Sequence, residues 1–344
     1  MTGATPLASG TQLGGGHEIK KVLGQGGFGI TYMVESPAGE MLAIKEFCPA
    51  RSVTRVGDSL HVAPEGAADF RSGYQLFKKE AETLRDHPHP NIVGVRALFE
   101  KNATIYMLME FIDGEPLQNA LVRGRTFSEA ESLDLLGQSI VALGFLHENH
   151  VLHCDIKPHN IMLRGSDGAA VLIDFGAVRD LSQKDKPVEV YTESYAPIEM
   201  IDRSLGEIGP WSDIFSWGAV GYYVVTGRKP PSALARVKAR AGGDPDPYMP
   251  AVAARRPEIS EQLAAVIDKC LQLDPADRPY SAEMLMHMLQ GRRVQSMESE
   301  YYGKPKSIGI KRIIRSERIL IAVRNVASAA PPPPPPPGSG AHRG

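Results

Sequence analysis

Asp155, Lys157 and Asn160 share one short polar stretch, VLHCDIKPHNIML (151–163), set between apolar flanks. A carboxylate can accept a proton from an attacking hydroxyl, and an ammonium can neutralise charge on a group in transfer. The chain continues NIMLRGSDGAAVLIDFG (160–176), in which IML and VLI read as short strands and Ser166-Asp167-Gly168 as the turn between them. Folding that hairpin brings Asn160 and Asp174, each seven residues from Asp167, to the same open end. An amide oxygen beside a carboxylate suits a hard cation such as Mg²⁺ held against phosphates.

Two further groups fit phosphate chemistry. LGQGGFGITY (23–32) spaces Gly24, Gly26 and Gly29 between two strand patterns. Glycines let a backbone approach phosphates and offer them N–H groups. A dinucleotide-binding turn would open a helix, and here a strand follows. A glycine-rich hairpin without a ligand fits the spacing equally well. Lys45, in LAIKEF, sits inside an apolar strand and needs a partner if buried. Phe70, Tyr74, Phe77, Ala81 and Leu84 mark one face of a helix, with Glu80 at its border. A Lys45–Glu80 ion pair would hold the lysine towards a nucleotide's phosphates.

The elements that must position these groups change character along the chain. EIKKVL (18–23), ITYMVE (30–35), MLAIKEF (41–47), VGVRALFE (93–100) and TIYMLMEF (104–111) read as strands. The stretch 48–69 reads as a loop. After IDGEP (112–116) the period becomes helical. Leu133, Leu136, Ile140 and Leu143 share a face, with Ser128 and Glu131 as a capping box at the start. Helical patterns recur at 213–226, 259–272 and 280–290. Residues 1–16 are small, polar and glycine-rich and are expected to be disordered. Residues 291–344 are basic, then alanine-rich, then proline-rich, with polyproline II expected for Pro331–Pro337. Between Lys304 and Arg324 there are seven Lys/Arg and one acid, Glu317, which reads as a solvated linker or as a docking segment for an acidic or proline-recognising partner.

Composition excludes several classes. With 42% apolar and 23% charged residues and a net charge of −2, nothing points to nucleic acid or an anionic membrane. The three cysteines, Cys48, Cys154 and Cys270, are scattered and odd in number, which implies a reducing compartment. No apolar run is long enough to form a transmembrane segment, and the start lacks the regions of a signal peptide, so a cytoplasmic protein is expected. His147, His150 and His153 are spaced by three but lack the thiols or carboxylates that would complete a metal site.

Taken together, these motifs resemble those of the eukaryotic-type (Hanks-type) serine/threonine protein kinases, which bacteria also possess. The resemblance runs from about His17 to about Gln290 in the family's order. It implies an α+β, two-lobed protein-kinase fold: a β-rich N-lobe (17–110) with one main helix and a helical C-lobe (113–290). It implies ATP and Mg²⁺, with Mn²⁺ as a substitute, as cofactors, and proteins as substrates. Asp155 corresponds to the catalytic base and Lys157 to its serine/threonine-specific neighbour; Asn160 and Asp174 correspond to the metal ligands. Leu23, Gly24, Gly26, Gly29, Thr31, Ala43, Lys45, Glu80, Glu110 and Ile112 fall at positions that bind or support the nucleotide, with Met109–Ile112 as the hinge. Thr192 falls beside the catalytic loop, Glu199 closes the activation segment, and Arg278 is its ionic partner. Asp213 matches a structural anchor.

The chain departs from the pattern at three places. Cys154 replaces the usual arginine before Asp155; Ile198 makes the closing motif Ala-Pro-Ile-Glu; the stretch from Lys45 to Glu80 is long and carries Arg51, Arg55 and Arg71. A small-molecule phosphotransferase of related fold, or a nucleotide-binding pseudokinase acting as a scaffold, stays open on the sequence alone.

Overall fold

The computed structural model describes residues 4–175, the backbone of 179–180, residues 192–292 and residues 304–309. Strands β1 (Glu18–Gln25), β2 (Gly29–Glu35) and β3 (Met41–Phe47) form an antiparallel meander. A hairpin, β4 (Val53–Val56) and β5 (Ser59–Val62), then precedes helix α1 (Ala67–Asp86). Strands β6 (Val95–Lys101) and β7 (Thr104–Glu110) complete a five-stranded sheet of order β1-β2-β3-β7-β6.

Both faces of this sheet are covered. Ala43, Phe47, Met107 and Met109 face α1 and join the main core with Phe77, Ala81 and Leu84. Ile44, Tyr32, Tyr106 and Leu108 point the other way into a second core. That is why β7 reads as a continuous apolar run rather than an alternating one.

The second core corrects two expectations. Residues 4–16, expected to be disordered, lie against the sheet: Ala4, Leu7 and Leu13 are buried, and the Leu7 amide donates to the Tyr32 hydroxyl at 3.1 Å. Three apolar side chains suffice to fix a segment whose average composition is polar. The stretch 48–69, read as a loop, contains β4 and β5, joined through Gly57 at φ +59°. Val53 and Leu60 on this hairpin add to the same core.

The larger lobe begins with β8 (Gly114–Pro116) and α2 (Leu117–Val122). Helix α3 (Glu129–Glu148) starts with the expected capping box: Ser128 Oγ accepts the Glu131 amide, and the Glu131 carboxylate accepts the Ser128 amide. A short strand, β9 (Val151–Leu152), leads into the polar loop. Strands β10 (Ile161–Arg164) and β11 (Ala170–Leu172) form the expected hairpin, with Ile161 opposite Leu172 and Leu163 opposite Ala170. Helix α4 (Ile198–Ile201) and the buried helix α5 (Pro210–Thr226) follow, then helices Ala233–Gly242, Glu261–Cys270 and Ala282–Leu289. Among the described residues, no helix is long and apolar enough to cross a membrane.

Beyond 292, only residues 304–309 are described, and they return to the large lobe, where Ile308 is buried. Gly176, Ser182, Tyr191 and the proline run Pro331–Pro337 lie outside the described residues.

Candidate active site

The polar loop is bent around Asp213, in the first turn of α5. Its carboxylate accepts the amide of His153 at 2.9 Å and that of Cys154 at 2.8 Å, and lies 2.9 Å from His147 Nε2. Burial works against the Asp213 charge, but these partners outweigh it and keep the group below the usual carboxylate range. Cys154 takes φ +60°, a left-handed conformation uncommon outside glycine, and the two amide bonds hold that bend. Its side chain is buried in a small apolar cluster with Leu152, Ala196, Met200 and Ile208.

The bend presents Asp155. Lys157 Nζ donates to Asp155 Oδ2 at 2.6 Å and to Thr192 Oγ1 at 3.0 Å, and the Thr192 hydroxyl donates to Asp155 Oδ1 at 2.8 Å. The triangle fixes both carboxylate oxygens. Asn160 Nδ2 donates to the Asp155 carbonyl at 2.9 Å and to Oδ2 at 3.2 Å. With its nitrogen so committed, the Asn160 amide presents its oxygen to the other side. The Ile173 amide donates to the Asn160 carbonyl at 2.9 Å, which closes the open end of the hairpin and sets Asn160 beside the segment carrying Asp174.

Lys45 lies on β3, paired with Thr31 of β2 and Met107 of β7. Its Nζ lies 2.7 Å from Asp174 Oδ1 and 3.4 Å from Glu80 Oε1. Burial disfavours the ammonium, but the two carboxylates outweigh that and hold its pKa above the usual range. The Lys45 charge pulls Asp174 down to about 2, whereas burial pushes Glu80 up to about 6 against the same lysine. An ionised carboxylate at 174 and an amide oxygen at 160 are the kind of oxygen donors that a hard divalent cation takes from protein.

Above this charge cluster, the glycine turn is open. A Cβ at Gly24, Gly26 or Gly27 would meet no atom within 4 Å, whereas one on Gly29 would stand 2.5 Å from the Glu46 carbonyl. The turn is also tied down: Cys48 donates its amide to the Phe28 carbonyl at 2.9 Å, and Ala50 to Gly27 at 3.0 Å. Leu23 sits in a bulge of β1 and is exposed, and Ala43 is buried opposite Met109. Glu110 ends β7, where its side chain accepts the Gly94 amide at 2.8 Å; Ile112, just beyond, is buried. The structure therefore gathers Asp155, Lys157, Asn160 and Thr192 into one group and Lys45, Glu80 and Asp174 into a second.

A protein kinase domain model matches residues 17–289. The chain belongs to the protein kinase family. This kinase is 28% identical over 306 residues to the serine/threonine-protein kinase PknA of Nostoc sp., covering 85% of this chain and 50% of that protein. It is 30% identical over 280 residues to PknJ of Mycobacterium tuberculosis, covering 79% of this chain and 44% of that one. The chain thus spans about half the length of the curated relatives it matches. Among solved structures, the apo form of PpkA-294 superposes with a TM-score of 0.71 at 30% identity, over 83% of this chain and 99% of that one. Protein kinases use ATP and divalent metal.

Sequence reasoning missed one buried network in the kinase. Glu46, on the opposite face of β3 from Lys45, accepts the hydroxyls of Tyr32 at 2.8 Å and Tyr106 at 2.7 Å and the Arg55 guanidinium at 2.6 Å. Arg55 also donates to the Thr5 carbonyl at 2.6 Å. One ion pair thus pins the hairpin and the amino-terminal segment to the strand that carries Lys45. The signal was present: a glutamate inside an apolar strand needs a partner as much as the lysine beside it does.

Proposed function

We propose that the chain is a serine/threonine protein kinase that transfers the γ-phosphoryl group of ATP to hydroxyls of proteins, itself included. The Asp155–Lys157–Thr192 triangle carries this reading. In it, a carboxylate is held at both oxygens beside a lysine. Asp155 accepts the hydroxyl proton, and Lys157 offsets charge on the moving phosphoryl group. Lys45, held by Glu80, orients the phosphates; Gly24 and Gly26 leave them room, and Gly29 lets β2 pass close to the Glu46 carbonyl; Leu23, Ala43, Glu110 and Ile112 border the base, with Thr31 beneath the glycine turn. Asn160 and Asp174 would hold Mg²⁺, or Mn²⁺ in its place, which neutralises phosphate charge when bound. The scattered cysteines fit a cytoplasmic setting, and the basic and proline-rich tail fits a docking segment for a partner. The test is to incubate the purified protein with labelled ATP and Mg²⁺, alone and with host lysate, and to map phosphosites. Phosphoserine and phosphothreonine support the reading; transfer confined to tyrosine or to small molecules refutes it.

Cys154 bears on control. In members with arginine there, that arginine pairs with a phosphate on the activation segment. A buried thiol among Leu152, Ala196 and Met200 offers no such charge. Basal activity is therefore expected not to depend on a phosphate between Arg179 and Tyr191. Dephosphorylated enzyme and a Ser182→Ala/Tyr191→Phe variant should match the wild-type initial rate. A drop of about tenfold or more in either would show that the switch persists through another basic group such as Arg179.

A further inference from the structure

The segment Lys304–Gly309 is held to the large lobe chiefly by one carboxylate. Asp274 Oδ2 accepts the Ser307 hydroxyl at 2.6 Å and the Gly309 amide at 2.9 Å, and Oδ1 accepts the Ile308 amide at 3.2 Å. Ile308 is buried, and a Cβ on Gly206 would stand 3.6 Å from its Cδ1, so the chain passes close over Gly206. Lys304 Nζ lies 5.8 Å from the centre of the Tyr280 ring. Within this anchored turn, Ser307 itself stays exposed, between Lys306 and the buried Ile308.

We propose that Ser307 is a phosphorylation site of the kinase itself, and that a phosphate there releases residues 304–309 from the large lobe. The inference rests on the activity proposed above. In the transfer, Ser307 Oγ bonds to the γ-phosphorus of ATP, and the bond from that phosphorus to the β–γ bridging oxygen breaks. ADP leaves with the electron pair, and the hydroxyl proton passes to Asp155. While docked, the hydroxyl is committed to Asp274, so the acceptor is the undocked segment, from the same chain or a second copy.

Once formed, the phosphoserine cannot return to the same contact. The donor proton has gone, and a group carrying about −1.5 to −2 charges would face a carboxylate at hydrogen-bond distance. The two backbone bonds from Ile308 and Gly309 to Asp274 then lose the hydroxyl that helped to hold them in register. Modification drains the docked state by mass action. Within 304–309, Lys304 and Lys306 are the cations that could offset the phosphate, and neither replaces the lost bond to Asp274.

The test uses the full chain. The protein is incubated with Mg·ATP, Ser307 is assayed by mass spectrometry, and amide exchange is followed over 304–309. The expected result is phosphate on Ser307 and exchange at Ile308 and Gly309 accelerated about tenfold or more, the loss of roughly one charge-assisted bond. Ser307→Ala lacks the same hydroxyl bond, so its segment should already exchange somewhat faster before ATP is added, and it should show no further acceleration with ATP. Asp274 Oδ1 also accepts the Ala276 amide at 3.1 Å; Asp274→Asn keeps that acceptor but removes the charge, so its segment should exchange faster before ATP is added. Phosphorylated Ser307 with unchanged exchange overturns the release. Phosphorylation of an added protein with Ser307 untouched overturns this inference alone. No transfer to any protein overturns it together with the proposed activity.

Discussion

Asp155→Asn is expected to slow phosphoryl transfer by about 10²–10⁴-fold while nucleotide still binds. The substitution keeps the side chain's shape but removes the charge that holds Lys157 at 2.6 Å and the oxygen that receives the Thr192 hydroxyl at 2.8 Å. An amide does not take a proton from an attacking hydroxyl near neutral pH. The ion pairs of Lys45 with Glu80 and Asp174 do not pass through Asp155. Initial rates at saturating Mg·ATP, together with a nucleotide titration of the same variant, separate the two effects. Transfer at the wild-type rate would remove Asp155 from the reaction.

Arg278→Met is expected to cost about 3–5 kcal/mol of stability, the usual consequence of orphaning one member of a buried ion pair. Arg278 and Glu199 are fully enclosed and bond twice, at 2.7 and 3.1 Å. Arg278 also donates to the carbonyls of Gln272 at 2.7 Å and Leu273 at 2.9 Å. After the substitution, Glu199 keeps the Ser212 hydroxyl at 2.8 Å, and those carbonyls lose their donor. Adding Glu199→Leu removes the stranded charge but not the stranded carbonyls, so it should restore part of the loss only. Urea unfolding of the single and double variants reads this directly. A single variant within about 1 kcal/mol of wild type would mean that the pair is dispensable.

The candidate site was legible because its chemistry is local. Asp155, Lys157 and Asn160 lie in one loop, and the hairpin arithmetic that joined Asn160 to Asp174 used only a turn signal and strand lengths. Lys45 and Glu80 are 35 residues apart, yet each announced itself: the lysine by its apolar strand, the glutamate by its place on a helical face. Thr192 was placed by resemblance, and no pattern near it says that its hydroxyl reaches Asp155. The Glu46–Arg55 pair was missed because the whole stretch 48–69 reads as a loop, although Val53, Thr54, Val56, Leu60 and Val62 flank a Gly-Asp turn with strand-forming residues. Residues 4–16 were missed for a related reason. Three scattered apolar side chains give no periodicity, and what orders them is the outer face of a sheet that can be recognised only after it has formed.

On the proposed reading, in which the glycine turn covers the phosphates, the two amides that hold Phe28 and Gly27 would also set the mechanics of nucleotide exchange. An untethered glycine turn would swing freely when ADP departs. Here it behaves as a leaf hinged on Cys48 and Ala50, and lifting it breaks two hydrogen bonds at once. At about 1 kcal/mol each, the open leaf is about 30-fold rarer than it would be unhinged. Whatever pulls on the segment between Cys48 and the β4–β5 hairpin would then work as a throttle on turnover, at a distance from the reacting atoms and without touching them.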